Sequence, residues 1–587
     1  MNRFLTAILC VLFVAACSGE PVEKKSGEEV IELSYLFNGR IITGDGSEPI
    51  EEGTMIVDKG KITAIGKKGE HQAPRGSNRV DAAGLTIMPL MVNLHGHPGL
   101  NNGASFSPDN YNRENVTNDL KRYLYYGVSA VLSAGGDAGD LAMQIRDELK
   151  QGKLNGAAFY TAGRGITARN GWPASLGDIP IQVSTEQQAR IAVADNADKK
   201  VDFIKIWVDD NMGRVPKLTP LLYRAVIDEA HKRNLRVVAH VFYLADAKEL
   251  VNAGVDGLIH SIRDREVDNA LISAMKEKNV FLAPTLTAHE ARFIYADSPR
   301  WLGEQTMREV YPASLSAYLG DPVTVSRFKR DADLQKYRDH YATALKNLKK
   351  MADGGVKIVL GTDSGAANTF PGYFEHRELE LMAKSGMNPM DIIKAATANS
   401  AEAIGAKDLG TLAVGKNADF FVLTQNPLDD LANSKEIDKV WWHGHELDRL
   451  PLIQGIEVKA PRITPQDIEV ERKAVAEAAR KKAEDALEHY GPWPASSTNP
   501  RLRGLSIPTP LHSRFNVTPG PPDRISVSMS GGTAAQFSSF YQSALARYGW
   551  KAVGGCFERA SPIPPGRVQQ LCVQPGAGTA TLTITEK

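Results

Sequence analysis

Cysteine is scarce: the 587-residue chain has four, Cys10, Cys17, Cys556 and Cys572. Two of these fall in the leading segment, and no other candidate ligand lies near Cys556 and Cys572. A cysteine-built metal site is therefore excluded. An excess of charge of one sign is also missing, since Lys+Arg and Asp+Glu both number 69. A balanced chain offers neither the basic surface that nucleic acid needs nor a polybasic membrane patch, so neither partner is expected. The opening apolar run, residues 4–16, is too short to span a bilayer as a mature helix. What remains, 42% hydrophobic and 24% charged, is ordinary for a globular protein. The length excludes a single core and predicts two or three domains.

The start reads as an export signal. Arg3 supplies a basic end, residues 4–16 the apolar stretch, and Val14-Ala15-Ala16-Cys17 its exit. This exit resembles the bacterial lipobox. The resemblance implies a signal peptide over 1–17, a lipid on Cys17 and a tether over 18–31. Ser18 after the cysteine implies the outer membrane, with the protein facing the periplasm and held by lipid alone. The alternative is an ordinary signal with an incidental cysteine. In an oxidising compartment the remaining pair, Cys556 and Cys572, is expected to form a disulfide, the alternative being two buried thiols.

Short strands with hairpin turns fill residues 32–86, where Asn38-Gly39 and Asp58-Lys59-Gly60 are turn signals. From there to about residue 405, short apolar β-type runs alternate with helical patterns. The runs are 87–94, 128–133, 157–162, 203–208, 237–240, 257–260, 280–285 and 357–361. Eight such runs separated by helices predict a (β/α)8 TIM barrel over 87–405. One connecting helix is marked by Thr219 as cap, Pro220 in its first turn, and Leu222, Val226 and Ala230 at four-residue spacing. Residues 289–351 are long for a strand-to-helix connection and predict a helical excursion, either a lid or a packing insertion. Short strands return over 406–460 and are expected to join 32–86 in one composite β-sandwich domain. Residues 461–523 read as a solvated charged helix followed by a linker, and 524–587 as a small α+β domain.

Chemistry concentrates at the ends of the runs. The first ends in His95-Gly96-His97, whose rings point the same way because strand side chains repeat every two residues. Two adjacent imidazoles are suited to hold one cation, typically zinc. The fourth run carries Lys205, and lysine inside a β-run is rare unless paired or modified. The fifth ends in His240, the sixth in His260 and the eighth in Gly361-Thr362-Asp363. Barrel active sites collect at the C-terminal strand ends, so these six residues are expected to converge from five strands. The bland readings are core histidines, a salt-bridged lysine and a helix-capping aspartate. A second His-x-His, His443-Gly444-His445, sits at a hairpin turn with no further ligands in order and reads as structural.

This order of ligands resembles the amidohydrolase superfamily, in the branch with imidazolonepropionase-like enzymes and bacterial Xaa-Pro dipeptidases. The resemblance spans roughly residues 32–448 and includes Ala395-Ala396-Thr397-Ala398-Asn399-Ser400, Gly410-Thr411-Leu412 and Gly415-Lys416-Asn417-Ala418-Asp419. It implies two divalent ions of the zinc type about 3.5–4 Å apart. His95, His97 and Asp363 would bind one ion and His240 and His260 the other. Lys205, carboxylated by CO2, would bridge both as a carbamate. Asp363 would move the proton from the attacking water to the leaving amine. The implied activity is hydrolysis of an amide C–N bond in a dipeptide or N-acyl amino acid.

Two positions depart from the pattern. Asn93 stands where the branch usually has an aspartate two residues before the first histidine, predicting altered support of the metal rather than its loss. The loop after the third run reads Arg164-Gly165-Ile166-Thr167-Ala168-Arg169-Asn170-Gly171-Trp172-Pro173 in place of a Gly-Gly-His-Gly element, which leaves the substrate open. The expected substrate contacts are Tyr243, which would also donate to a developing oxyanion, Arg164, Arg263 and Arg265 for a substrate carboxylate, and His289. Each has a structural alternative, such as an arginine paired with Asp264 or Glu266. Lactone, phosphotriester or deamination chemistry on the same metals, and a non-catalytic binding lipoprotein, are the competing functions. A homo-oligomer is compatible with all of them.

Overall fold

The structure is a computed structural model that describes residues 34–488, 514–519, 524–530, 540–542, 545–560, 568–576 and 579–586. The signal peptide, the tether and Cys17 lie outside the described residues. The chain divides into two compact units. One holds the described residues up to Leu100 with Ser107–Thr287 and Thr343–Ile456; the other holds Asn101–Phe106, Ala288–Ala342 and the described residues from Glu457 on.

In the first unit a seven-stranded sheet combines both flanks of the chain. Its spatial order is His445–Glu446, Ile437–Trp442, Phe420–Leu423, Asn78–Pro89, Tyr35–Ile41, Ile50–Asp58 and Lys61–Lys67. The turn at Lys59 and Gly60 has both residues in the left-handed region, φ 51° and 73°, as a tight hairpin requires. Asn38-Gly39, in contrast, is not a turn. Both residues lie inside Tyr35–Ile41 and pair with Thr54 and Gly53. A Cβ on Gly39 would sit 2.7 Å from the Ala82 carbonyl oxygen, so this glycine serves close strand approach. Phe37, Phe420 and Trp441 form the aromatic heart of this layer. At Phe37 the ring centroids are 5.0 and 4.7 Å apart in edge-on contacts with the other two, a preferred aromatic geometry.

The remainder of the first unit is a parallel α/β arrangement. Met91–Gly96, Val128–Ser133 and Ala158–Thr161 form one three-stranded sheet. Phe203–Val208, Arg236–Val241, Gly257–Ile259 and Phe281–Ala283 run side by side in a six-stranded sheet, extended by Ile166–Ala168 and Ile181–Val183. These strands are near-continuous buried apolar runs because helices cover parallel sheets. The eighth run forms only isolated bridges, Ile358 to Leu282 and Gly96 to Ser364. Val359 N donates to Leu282 O (3.0 Å) and Leu94 N to Leu360 O (2.9 Å), so it touches both neighbouring sheets. Just beyond the run, Asp363 (φ 62°) and Gly365 (φ 89°) turn the chain out of the β region. Helix Pro220–Lys232 buries Leu222, Val226 and Ala230 as its spacing predicts, but the Thr219 side chain makes no capping hydrogen bond.

In the second unit, short helices from Ala288 to Ala342 bury Phe293, Tyr295, Trp301 and Tyr311. Helix Pro465–Glu488 is not merely solvated. Glu471 is buried and takes a two-pronged hydrogen bond from Arg330 (2.9 and 2.6 Å), beside Arg327 on Asp467 (2.9 Å). Such forked pairs add geometric specificity to charge. The C-terminal sheet runs in the order Arg514–Pro519, Arg524–Ser530, Thr579–Glu586, Val568–Gly576, Cys556–Ala560, Lys551–Val553. Residues 514–519, expected as linker, are thus an edge strand; the short alternation Phe515, Val517 is masked in sequence by flanking prolines. Tyr541, Leu545, Trp550, Leu571 and Leu582 form its core.

Cys556 and Cys572 are joined in a disulfide between adjacent strands, 16 residues apart in sequence, with Cα atoms 4.4 Å apart. A loop of that length contributes about 3 kcal/mol through the unfolded chain. The double variant Cys556→Ser/Cys572→Ser is expected to lose that stability in the C-terminal sheet, read as faster amide hydrogen exchange in Val568–Gly576, with the rest of the chain unchanged.

Candidate metal centre

The His-Gly-His end of Met91–Gly96 is fixed from three sides. Asn93 Oδ1 accepts from the His95 N–H (2.9 Å). The His95 carbonyl accepts from the Asp363 N–H (2.8 Å), and the His97 N–H donates to the Ser364 carbonyl (2.7 Å). The glycine between the histidines is obligatory, since a Cβ would lie 2.6 Å from the Tyr123 hydroxyl and 3.0 Å from Val131 Cγ2. At Gly365 a Cβ would meet the His97 carbonyl oxygen at 2.3 Å.

The side chains converge on Asp363. His95 Nε2 and His97 Nε2 lie 2.8 and 2.9 Å from the same oxygen, Asp363 Oδ1. The His95 ring is 4.9 Å from the His260 ring, which is 4.2 Å from that of His240. His95, His260 and Asp363 present ligand atoms all within 4.8 Å of one another. Lys205, fully buried on Phe203–Val208, couples electrostatically to His95, His240 and Asp363. All six residues expected as ligands therefore meet at one place. Three of them form a set able to hold a divalent cation.

Electrostatics set the protonation of this cluster. Burial drives the His95 imidazole down to about 3, assisted by Lys205. Burial likewise lowers the Lys205 amine to about 7, against the pull of Asp363. For Asp363, burial opposes ionisation, but His95 and His97 hold the carboxyl well below the usual range. A neutral His95 imidazole, a Lys205 amine eased toward neutrality and an ionised Asp363 carboxylate are forms that bind cations. Among the described residues, Lys205 Nζ, His95 Nδ1 and His97 Nδ1 are buried with no hydrogen-bond partner. Buried polar atoms are rarely left so, and the donor set fits a metal.

Supporting groups invisible to the ligand pattern complete the centre. Asp209 Oδ2 lies 2.7 Å from His240 Nε2, leaving Nδ1 of that ring for a ligand. Burial works against the Asp209 charge, but His240 holds its carboxyl down to about 2. His260 is tied by the other nitrogen, Nδ1, to Thr285 Oγ1 (2.5 Å). Strand alternation could have flagged Asp209, which shares a face with Lys205 four residues earlier. No sequence signal marks Thr285.

The expected substrate contacts are engaged elsewhere. Arg164 donates to the backbone carbonyls of Ile179 (2.7 Å) and Asp178 (2.8 Å). Arg263 donates to the Val241 and Ser261 carbonyls and stacks 4.5 Å from the Phe242 ring centroid. Arg265 is exposed and pairs with Asp264 (2.8 Å). Tyr243 donates its hydroxyl to Asp210 Oδ1 (2.8 Å), and the Lys217 ammonium lies over its ring. His289 is buried on helix Leu286–Ala291 and belongs to the second unit. His443 and Gly444 form a hairpin turn, as read from sequence.

A parallel α/β core with cation ligands at its strand ends, beside a separate sheet built from both flanks, defines a TIM-barrel-like metal-site protein. The amidohydrolase family model matches residues 86–447, and the chain belongs to the amidohydrolase family. It is 24% identical to an ochratoxinase of Aspergillus niger over 460 residues, covering 70% of this chain and 86% of that one. It is 22% identical over 414 residues to a 5'-deoxyadenosine deaminase of Methanosarcina acetivorans, covering 67% and 84%. A crystal structure of a Xaa-Pro dipeptidase with bound methionine shares the fold, with a TM-score of 0.57, 22% identity, and coverage of 70% of this chain and 99% of that one.

Removing a partner that orients a ligand histidine costs roughly 10–100-fold in metal affinity. Asp209→Ala is expected to weaken zinc binding by that factor, measured by competition with a chromogenic chelator, while the apo protein melts as the parent does.

Proposed function

We propose that this chain is a binuclear metal hydrolase that cleaves an amide C–N bond of a dipeptide or N-acyl amino acid. The observation that carries the proposal is the convergence of His95, His97, His240, His260 and Asp363 around a buried lysine amine that has no hydrogen-bond partner among the described residues. The supporting fold reading is that the three-stranded sheet, the four strands from Phe203–Val208 to Phe281–Ala283 and the bridged segment 357–364 make one closed eight-stranded barrel. In it, 87–405 is the catalytic domain and 32–86 with 406–460 the composite domain.

In this reading His95, His97 and Asp363 hold one cation and His240 and His260 the other. Lys205 adds CO2 through its neutral amine: an N–C bond forms, one proton leaves to solvent, and the resulting carbamate offers two oxygens as a bridge. Divalent ions held by these residues would supply Lewis acidity and lower the pKa of a bound water toward neutrality. Asp363 is placed to take the proton of the attacking water and deliver it to the leaving nitrogen. Tyr243 is the donor for the developing oxyanion and would have to exchange its bond to Asp210 for that role. Arg263 and Arg265 follow the sixth strand end and supply the positive charge that a substrate carboxylate requires. Cys17 would carry the lipid that holds the enzyme at the outer membrane, facing the periplasm, with a small molecule or short peptide as its substrate.

Turnover on a panel of dipeptides, N-acyl amino acids, lactones, phosphotriesters and adenosine analogues separates this chemistry from its rivals. The amides are expected to be cleaved, with activity falling to background after chelation and returning with zinc and bicarbonate. Activity confined to a lactone, a phosphotriester or a deamination substrate would replace the amide reading. Activity indifferent to chelation would remove the metal.

A further inference from the structure

One buried acid beside the centre has no part in the ligand set. Glu375 is fully buried near the start of helix Tyr373–Lys384. Its Oε1 accepts from Asn93 Nδ2, Thr362 Oγ1 and Ser364 Oγ, each at 2.6 Å. Its Oε2 accepts from the Gly372 N–H (2.7 Å). The donors are not scattered. Asn93 precedes His95 by two residues and fixes the His95 N–H through its own Oδ1. Thr362 and Ser364 flank Asp363 on both sides. Ser364 is also held by the Tyr123 hydroxyl (2.6 Å), the group that covers Gly96.

We propose that Glu375 is a positioning residue that fixes the distance between the His-Gly-His strand end and Asp363, and so sets the affinity of the metal centre; this rests on the metal reading above. One carboxylate oxygen is the common acceptor for the residues framing His95 and Asp363. Without it, Asn93 Nδ2 would keep only its longer bond to Thr362 Oγ1 (3.0 Å), and the Ser364 hydroxyl would be left to the Tyr123 and Thr362 hydroxyls, so the frame would rearrange. Asp363 sits at φ 62°, a conformation that ordinary residues hold only when their neighbours fix it. The Thr362 and Ser364 bonds to Glu375 fix it from both sides. An amide at position 93 requires an acceptor opposite, and helix Tyr373–Lys384 supplies it. Glu378, one turn further on, spends its carboxylate on the Leu286 and Thr287 N–H groups and the Thr287 hydroxyl instead.

Zinc affinity of the full-length protein, measured by chelator competition, tests this. Glu375→Met keeps the volume and removes the acceptor; Glu375→Gln keeps an acceptor oxygen. The expected result is a loss of roughly tenfold or more in zinc affinity for Glu375→Met and of about threefold or less for Glu375→Gln, with apo melting still cooperative. A purely structural acid would lower the melting temperature of Glu375→Met and leave its zinc affinity at the parent value, which would overturn the proposal. Should Glu375→Met fail to fold, Ser364→Ala removes one donor and is expected to weaken zinc binding severalfold; parent affinity there would overturn it too. A parent protein that bound no zinc would instead overturn the metal centre, and this role with it.

Discussion

A primary amine buried away from water, with no hydrogen-bond acceptor among the described residues, is the constraint that orders this structure. Lys205 lies inside a parallel strand, packed beside Trp207, with its Nζ 5.6 Å from that ring. Gly135 gives it room, since a Cβ there would stand 2.8 Å from Lys205 Cγ. Burying a charged ammonium so is costly, and burial shifts its equilibrium toward the neutral form. The groups in electrostatic reach of it are imidazoles and one carboxylate, all able to ligate a cation, and none of them accepts a hydrogen bond from it. Lysine and histidines are each left without a group that joins them, the gap that the proposed metal pair and carbamate bridge would fill.

The backbone bears the cost of the same convergence. His260, Thr285 and Asp363 all have positive φ, 73°, 49° and 62°. None is glycine, and for β-branched Thr285 such a conformation is strained. Each of the last two makes a side-chain contact within the cluster: Asp363 to His95 and His97, and Thr285 to His260. Among the described residues, three of the fourteen non-glycine positions with positive φ are thus candidate ligands or their direct support, while the strands that lead to them are regular and apolar. Rigid strands carry the ligands, and the turns just beyond them aim them.

Much of this was legible in the sequence because the signals are periodic. His95 and His97 share a face by alternation, and apolar runs ending in His240, His260 and Asp363 mark strand ends. Where the reading failed, the cause was context. Asn38-Gly39 has turn composition, yet Gly39 is there to let Ala82 approach. Residues 514–519 look like linker because prolines surround a short alternation. The eighth run looks like a strand, but it pairs only through an isolated bridge, Ile358 to Leu282. Asp209 and Glu375 support the ligands from a strand end and a helix. Their partners are 31 and 282 residues away for the His240 and Asn93 contacts, and no local pattern records such a pairing.

The most direct test is anomalous diffraction at the zinc edge from crystals grown with zinc and bicarbonate. The account predicts two anomalous peaks about 3.5–4 Å apart, one among His95, His97 and Asp363 and one beside His240 and His260. It also predicts density extending from Lys205 Nζ as a carboxylate between them. A bare Lys205 amine with no peak inside this ring of side chains would contradict it.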